Sequence, residues 1–224
     1  MNKPRAAISW SGGKDSCLAF HRAAPQFDVA ALITMFTEDG ARSRSHGLRP
    51  EIFERQAELL GVELVPGYGS WQSYEEEFIR LLRTLPARDI SHVIFGDILF
   101  PEHRGWVERV CREAGLQAVE PLWRESTSEL VREFIRVGGQ ALIVAAKAAV
   151  LDESWLGRKL DPAMFPEFER LGVDPCGENG EYHTLVISFP AFSSPLRIRE
   201  VARLLHDGYR MLDLTLEKTA SEIL

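Results

Sequence analysis

Cysteine is scarce in this sequence and never paired. Cys17, Cys111 and Cys176 lie far apart, and no CxxC spacing occurs, which argues against a disulfide framework or a thiolate zinc site. Cys17 and Cys111 fall among apolar neighbours at helical spacing and read as buried structural thiols; Cys176, in a polar glycine-rich stretch, is the one with a claim to a site. Long apolar runs are missing as well. The longest, from Gln140 to Leu151, is broken by Lys147 and is too short to span a bilayer. The opening Met1-Asn2-Lys3-Pro4-Arg5 leads into a strand instead of a signal-peptide core, so the cytoplasm is the expected compartment and no membrane partner is expected. Positive charge is in deficit, 26 basic against 33 acidic residues for a formal charge of −7. Such a balance counts against a broad nucleic-acid face, although Arg42, Arg44, His46 and Arg49 make one dense basic cluster. Internal repeats and low-complexity tracts are also absent.

What is present is an ordinary globular composition, 45% hydrophobic and 26% charged over 224 residues, enough for one large domain or two small ones. The first half alternates strands and helices. Strands are expected at Arg5 to Trp10, Val29 to Met35, Val62 to Val65 (stopped by Pro66), His92 to Phe95 and Leu116 to Val119. Between them, helical spacing runs over about Asp15 to Arg22, Pro50 to Leu60, Tyr74 to Leu85 and Glu102 to Ala114. Near-continuous apolar strands separated by helices predict an α/β fold, a five-stranded parallel sheet covered on both faces. The pattern changes at Glu120. Ser126-Thr127-Ser128-Glu129 reads as a capping box opening a helix to Val137, followed by a strand at Ala141 to Ala146 and a helix from Asp161-Pro162 to Leu171. A strand is then expected at Thr184 to Phe189, and a hairpin turning at His206-Asp207-Gly208 into Met211 to Leu216. The segment Ile198 to Leu205 fits helix or strand, with strand preferred. Residues 1–120 and 121–224 are therefore expected to form two domains, the second a smaller α/β unit.

Two stretches carry chemistry. Ser11-Gly12-Gly13-Lys14-Asp15-Ser16 sits between the first strand and the first helix. Its glycines let backbone N–H groups close around an anion, and the helix adds the positive end of its dipole. Lys14 contributes a point charge and Asp15 a carboxylate for magnesium. The order of residues is neither that of a Walker loop nor that of a dinucleotide fingerprint; it resembles the pyrophosphatase loop of enzymes that split ATP into AMP and pyrophosphate. Ligands in open parallel sheets collect beyond the carboxyl ends of strands, which brings Met35, Gly96 and Asp97 toward the same cradle, Asp97 either facing it or capping the next helix. The second stretch is Asp174-Pro175-Cys176-Gly177-Glu178-Asn179-Gly180-Glu181-Tyr182-His183-Thr184. Its carboxylates, imidazole and hydroxyl suit an amine, magnesium or a polar substrate. The lone His103 and His206, among charged neighbours, read as surface residues.

Taken together with Gly96-Asp97-Ile98 and Pro121-Leu122-Trp123, these motifs occur in the order seen in the diphthine–ammonia ligase family, which the sequence resembles over nearly its whole length. That resemblance implies a pyrophosphatase-type ATP domain of the adenine nucleotide alpha hydrolase-like class and a reaction in two steps. The diphthine carboxylate of translation elongation factor 2 is adenylated, and ammonia then displaces AMP. In that reading Ser11, Gly12, Gly13, Lys14, Asp15, Ser16, Met35 and Gly96 hold ATP, with Asp15 on Mg2+. Lys14, Asp97, Glu178 and Glu181 serve the chemistry, and His46, Gly180, His183 and Thr184 the substrate. The partners implied are ATP, ammonia and an acceptor that is either a modified histidine on an elongation factor or another carboxylate, with homodimeric assembly left open. Asn179-Gly180 departs from the family's paired glycines, and Leu99 to Trp106 departs from its usual tyrosine-containing segment. A tRNA-modifying pyrophosphatase-loop enzyme and a nucleotide sensor without turnover are the alternatives.

Overall fold

A computed structural model describes residues 3–217. Five parallel strands, β1 (Arg5–Ser9), β2 (Asp28–Phe36), β3 (Glu63–Tyr68), β4 (His92–Ile94) and β5 (Gln117–Val119), form one sheet in the order β3-β2-β1-β4-β5. The connecting helices are α1 (Lys14–Ala23), α2 (Pro50–Leu60), α3 (Tyr74–Leu82) and α4 (Pro101–Glu113). Alternation along the strands sorts the core into two layers. Ala6 and Ile8 face α1 and α2, whereas Ala7, Ile33 and Val93 face α3 and α4. Strand order reverses between β1 and β4, and a crevice opens beyond their carboxyl ends, where ligands bind in such sheets.

A second sheet follows, antiparallel throughout, in the order β7-β6-β9-β8. It comprises β6 (Gln140–Lys147), β7 (Tyr182–Ser188), β8 (Ile198–His206) and β9 (Tyr209–Leu216), with α5 (Thr127–Arg136) and α6 (Phe165–Leu171) beside it. Ile198 to His206 is thus a strand, and the hairpin turns at Asp207-Gly208. The two sheets share one hydrophobic cluster, in which Trp10, Leu18 and Phe53 join Phe134, Val144 and Leu185. Arg22 crosses from α1 to α5, its guanidinium on both Glu133 oxygens at 3.0 and 2.5 Å and on the Pro121 carbonyl at 2.9 Å.

Three local expectations are corrected. β3 runs through Pro66 because it is an edge strand, where a missing N–H costs no ladder bond. α3 ends at Leu82, short of Leu85, as the chain turns into a single 3-10 turn at Pro86–Arg88. The capping box does not form: Ser126 makes no cap bond, its hydroxyl lying 3.1 Å from that of Ser128, and Thr127 donates instead to Asp174 at 2.8 Å.

Candidate active site

The glycine-rich loop leaves β1 and enters α1 with Gly13 as the residue before the helix, making no side-chain cap. The first N–H groups of a helix have no intrahelical acceptor; here those of Gly13 and Lys14 go to Ser11 Oγ at 3.3 Å and Thr184 Oγ1 at 3.1 Å, and those of Asp15 and Ser16 have no acceptor among the described residues. Gly13 is required by space as well. A Cβ there would stand 2.8 Å from His46 Cε1 and 3.0 Å from the Thr184 carbonyl oxygen, and one on Gly96 would stand 3.0 Å from the backbone of Asp15 and Ser16. Three strand ends therefore meet backbone to backbone at this point.

The cradle is sewn to the second sheet. The Lys14 N–H donates to Thr184 Oγ1 at 3.1 Å, and the Val186 N–H donates to the Gly12 carbonyl at 2.9 Å. Gln56, fully buried on α2, completes the seam. Its Oε1 accepts from the Trp10 indole at 2.8 Å, and its Nε2 donates to the Gly12 and Val186 carbonyls at 3.3 and 3.0 Å. Sequence reasoning missed Gln56, although its place in the apolar period of Ile52, Phe53 and Ala57 was a readable signal, since a polar side chain on a core face must have partners. Gln56→Leu strands the Val186 carbonyl and the Trp10 indole; the urea unfolding free energy is expected to fall by about 1–3 kcal/mol, and an unchanged midpoint would count against the seam.

One cavity of about 350 Å3 takes in most of the predicted residues. Ser11, Lys14, Asp15 and Ser16 line it from the cradle, Met35 from the end of β2, and Gly96 with Asp97 from the end of β4. From the opposite side come His46, Glu178, Gly180, His183 and Thr184. Gly12 and Gly13 shape the loop without lining the cavity. Lys14 is 3% exposed and bridges the two halves, donating to the Cys176 carbonyl at 2.5 Å and to Asp15 Oδ2 at 2.9 Å, with its ammonium 5.2 Å over the Tyr182 ring. Burial pulls its pKa down, but the charge of Asp15 and the electronegative atoms of Tyr182 and Cys176 outweigh that, and the group stays protonated.

The two glutamates of the second stretch part company. Glu178 faces the cavity, and its carboxyl is pushed up to about 7, first by burial and then by the negative charge of Asp15. Glu181 turns away. Its oxygens accept from the Asp174 N–H at 3.0 Å, the Asn179 N–H at 2.9 Å and the Asn179 amide at 3.0 Å. These bonds override burial and hold its pKa low. Glu181 clamps its own loop and does not line the cavity where a catalytic role was expected of it. Cys176 lines the same cavity, and it meets Lys14 through its backbone oxygen: the thiol is buried, its pKa pushed up chiefly by burial, and it donates to the Thr127 carbonyl at 3.2 Å.

Asp97 does not cap the following helix, which starts after Phe100. Its carboxyl lines the cavity with its pKa raised by burial, tempered by His103, whose Nδ1 lies 3.3 Å away. His103 and His206 are both exposed, as their reading as surface residues expects, and His103 also borders the mouth of the cavity. Tyr74 and Phe78 also line the cavity and were not foreseen. His46 and His183 stack with ring centroids 4.8 Å apart, and burial lowers the pKa of both, that of His183 to about 4, so both imidazoles are neutral. His46 Nδ1 is buried with no hydrogen-bond partner. The basic cluster beside them is largely cancelled, because Arg42 and Arg49 both meet Asp213 at 2.6 Å.

Asp15, Asp97 and Glu178 border one space, and the charge of Asp15 helps raise the pKa of the other two, a repulsion that a divalent cation relieves. Among the described residues no three such side chains are close enough to cage a metal ion by themselves. That donor set fits Mg2+, which is commonly held by one or two carboxylates plus substrate phosphates. Among the described residues no helix is long and apolar enough to cross a membrane.

The profile of the diphthamide synthase N-terminal domain matches residues 4–118, and that of the diphthamide synthase C-terminal domain matches residues 126–219. A diphthine–ammonia ligase of Mus musculus is 30% identical over 91% of this chain and 86% of its own length. Another, of Schizosaccharomyces pombe, is 29% identical over 81% of this chain but only 34% of its own length, so the chain spans about a third of that relative. A predicted subunit of tRNA methyltransferase from Methanocaldococcus jannaschii, a crystal structure, aligns at a TM-score of 0.43 and 15% identity over 83% of this chain and 97% of its own. With both profiles matched in chain order across nearly its full length, the chain belongs to the diphthine–ammonia ligase family.

Proposed function

We propose that this chain is an ATP-dependent ligase that converts an acceptor carboxylate to an amide, with residues 1–120 binding the nucleotide and residues 121–224 completing the acceptor side. The observation that carries this reading is the meeting of the phosphate cradle with Glu178 in one cavity, under a buried lysine that ties them together. The apolar flank of Ile33, Met35 and Phe78 suits a purine, and the cradle suits its phosphates. The acceptor carboxylate attacks the α-phosphorus, the bond to the β-phosphate oxygen breaks, and pyrophosphate leaves with an acyl-adenylate formed. Lys14 and the N–H groups at the start of α1 stabilise the charge that builds on the phosphates. Mg2+, held by Asp15 with Asp97 and the phosphates, would neutralise further charge. Ammonia then adds to the acyl carbon and AMP departs. Glu178, poised near neutrality, takes the proton that the attacking nitrogen must lose.

The relatives' names make diphthine the first acceptor to test. In the presence of Mg2+, ATP and ammonium, elongation factor 2 carrying diphthine is expected to drive release of AMP and pyrophosphate, with one labelled nitrogen entering the factor per pyrophosphate. Release of ADP, or nucleotide binding without acceptor-dependent pyrophosphate, would overturn this and favour a sensor.

A further inference from the structure

A second cavity, of about 790 Å3, lies between the loop that follows β2 and the β8–β9 hairpin. It shares Ser43, Ser45 and His183 with the wall of the first, so the two adjoin. Its basic side chains are not equivalent. Arg42 meets Asp213 at 2.6 Å, and His206 lies 3.3 Å from Asp207. Arg44 has no carboxylate partner among the described residues; its Nε is buried without a hydrogen bond, and its guanidinium stacks 4.1 Å over Trp71. A flat cation set on an indole is pre-organised for a planar anion such as a carboxylate. The Arg44 N–H donates to the Met35 carbonyl at 2.9 Å, which plants this cation at the edge of the nucleotide cavity.

The rim is apolar. Trp71 is 67% exposed and Leu204 46% exposed, and both line the cavity. A nucleic acid would need several free cations, yet Arg42 is already paired. An exposed apolar rim around a single free cation instead matches a protein surface that displays one acidic group.

Resting on the ligase reading above, we propose that this second cavity is the acceptor site. It receives a protein-borne side chain ending in a carboxylate, with Arg44 as its anchoring cation and Trp71 and Leu204 as the landing for the carrier protein. The carboxylate then passes Ser45 and His183 to reach the α-phosphorus. The neutral imidazole of His183 offers no competing charge on that path.

The test uses the full chain, with diphthine-bearing elongation factor 2 as the probe. In Arg44→Ala and Trp71→Ala the KM for the factor is expected to rise by about ten-fold or more, the scale of losing one charged hydrogen bond. ATP affinity by calorimetry is expected to stay within about two-fold, and Arg44→Lys to recover part of the loss. Arg199→Ala, on β8 and outside this cavity, serves as the control. Wild-type turnover with unchanged KM in both variants would overturn the acceptor site and leave the ligase reading intact. A parallel fall in ATP affinity would also overturn it, by assigning the cavity to the nucleotide. Absence of wild-type turnover sinks the ligase reading; the site is then decided by binding alone, and a factor that binds wild type and Arg44→Ala equally, or neither, overturns it.

Discussion

Glu178→Gln is expected to leave ATP affinity within a few-fold of wild type while slowing the ammonia-dependent step by roughly 10²-fold or more, the scale of a lost acid–base group. The carboxyl stands near neutrality because it is buried beside the charge of Asp15. Its base form therefore appears as pH rises through about 7. At a fixed concentration of free ammonia, kcat/KM, which reports the free enzyme, should climb through that range in wild type and stay level in the glutamine variant. The linked effect on stability has the opposite sense. A carboxyl whose folded pKa lies above its unfolded value of ~4.3 favours the folded state most at low pH, and that contribution declines as pH rises toward 7. The variant should lack this decline, so its urea midpoint should gain on wild type above neutrality. A wild-type pH profile retained in Glu178→Gln would remove the residue from the chemistry.

Lys14→Ala is expected to reduce acceptor-dependent pyrophosphate release by about 10²–10³-fold, as when a donor to developing charge is deleted. No other described lysine or arginine lines this cavity. The same change empties a buried position that holds Asp15 and the Cys176 carbonyl at once, so unfolding free energy should fall by about 2 kcal/mol as well. Lys14→Met keeps most of the volume and separates the two effects: it should recover part of the stability and none of the turnover. Unimpaired pyrophosphate release in Lys14→Met would refute the role given to this ammonium.

Local chemistry was the most legible part. The cradle was readable because its strand, glycines and helix are consecutive, and the 174–184 stretch because its polar residues crowd into one loop. What escaped depended on partners distant in the chain. Glu178 and Glu181 look alike in sequence, yet the turn between them sends one carboxylate to the cavity and the other onto the Asp174 and Asn179 N–H groups. Gln56 acquires its meaning from Trp10 and Val186, which no local pattern places beside it. The parallel sheet was legible from its buried apolar strands, whereas Pro66 misled because edge position is a property of the sheet, not of the segment.

The cradle leans on Thr184, 170 positions further along the chain than Lys14. A ribosome that has released only the first 120 residues has exposed every group thought to touch phosphate, but not the strand that fixes their backbone. Contacts of such sequence separation are slow to form. ATP should therefore bind poorly to stalled nascent chains ending before β7 and normally once β9 has emerged, so that nucleotide use waits on the arrival of the second sheet.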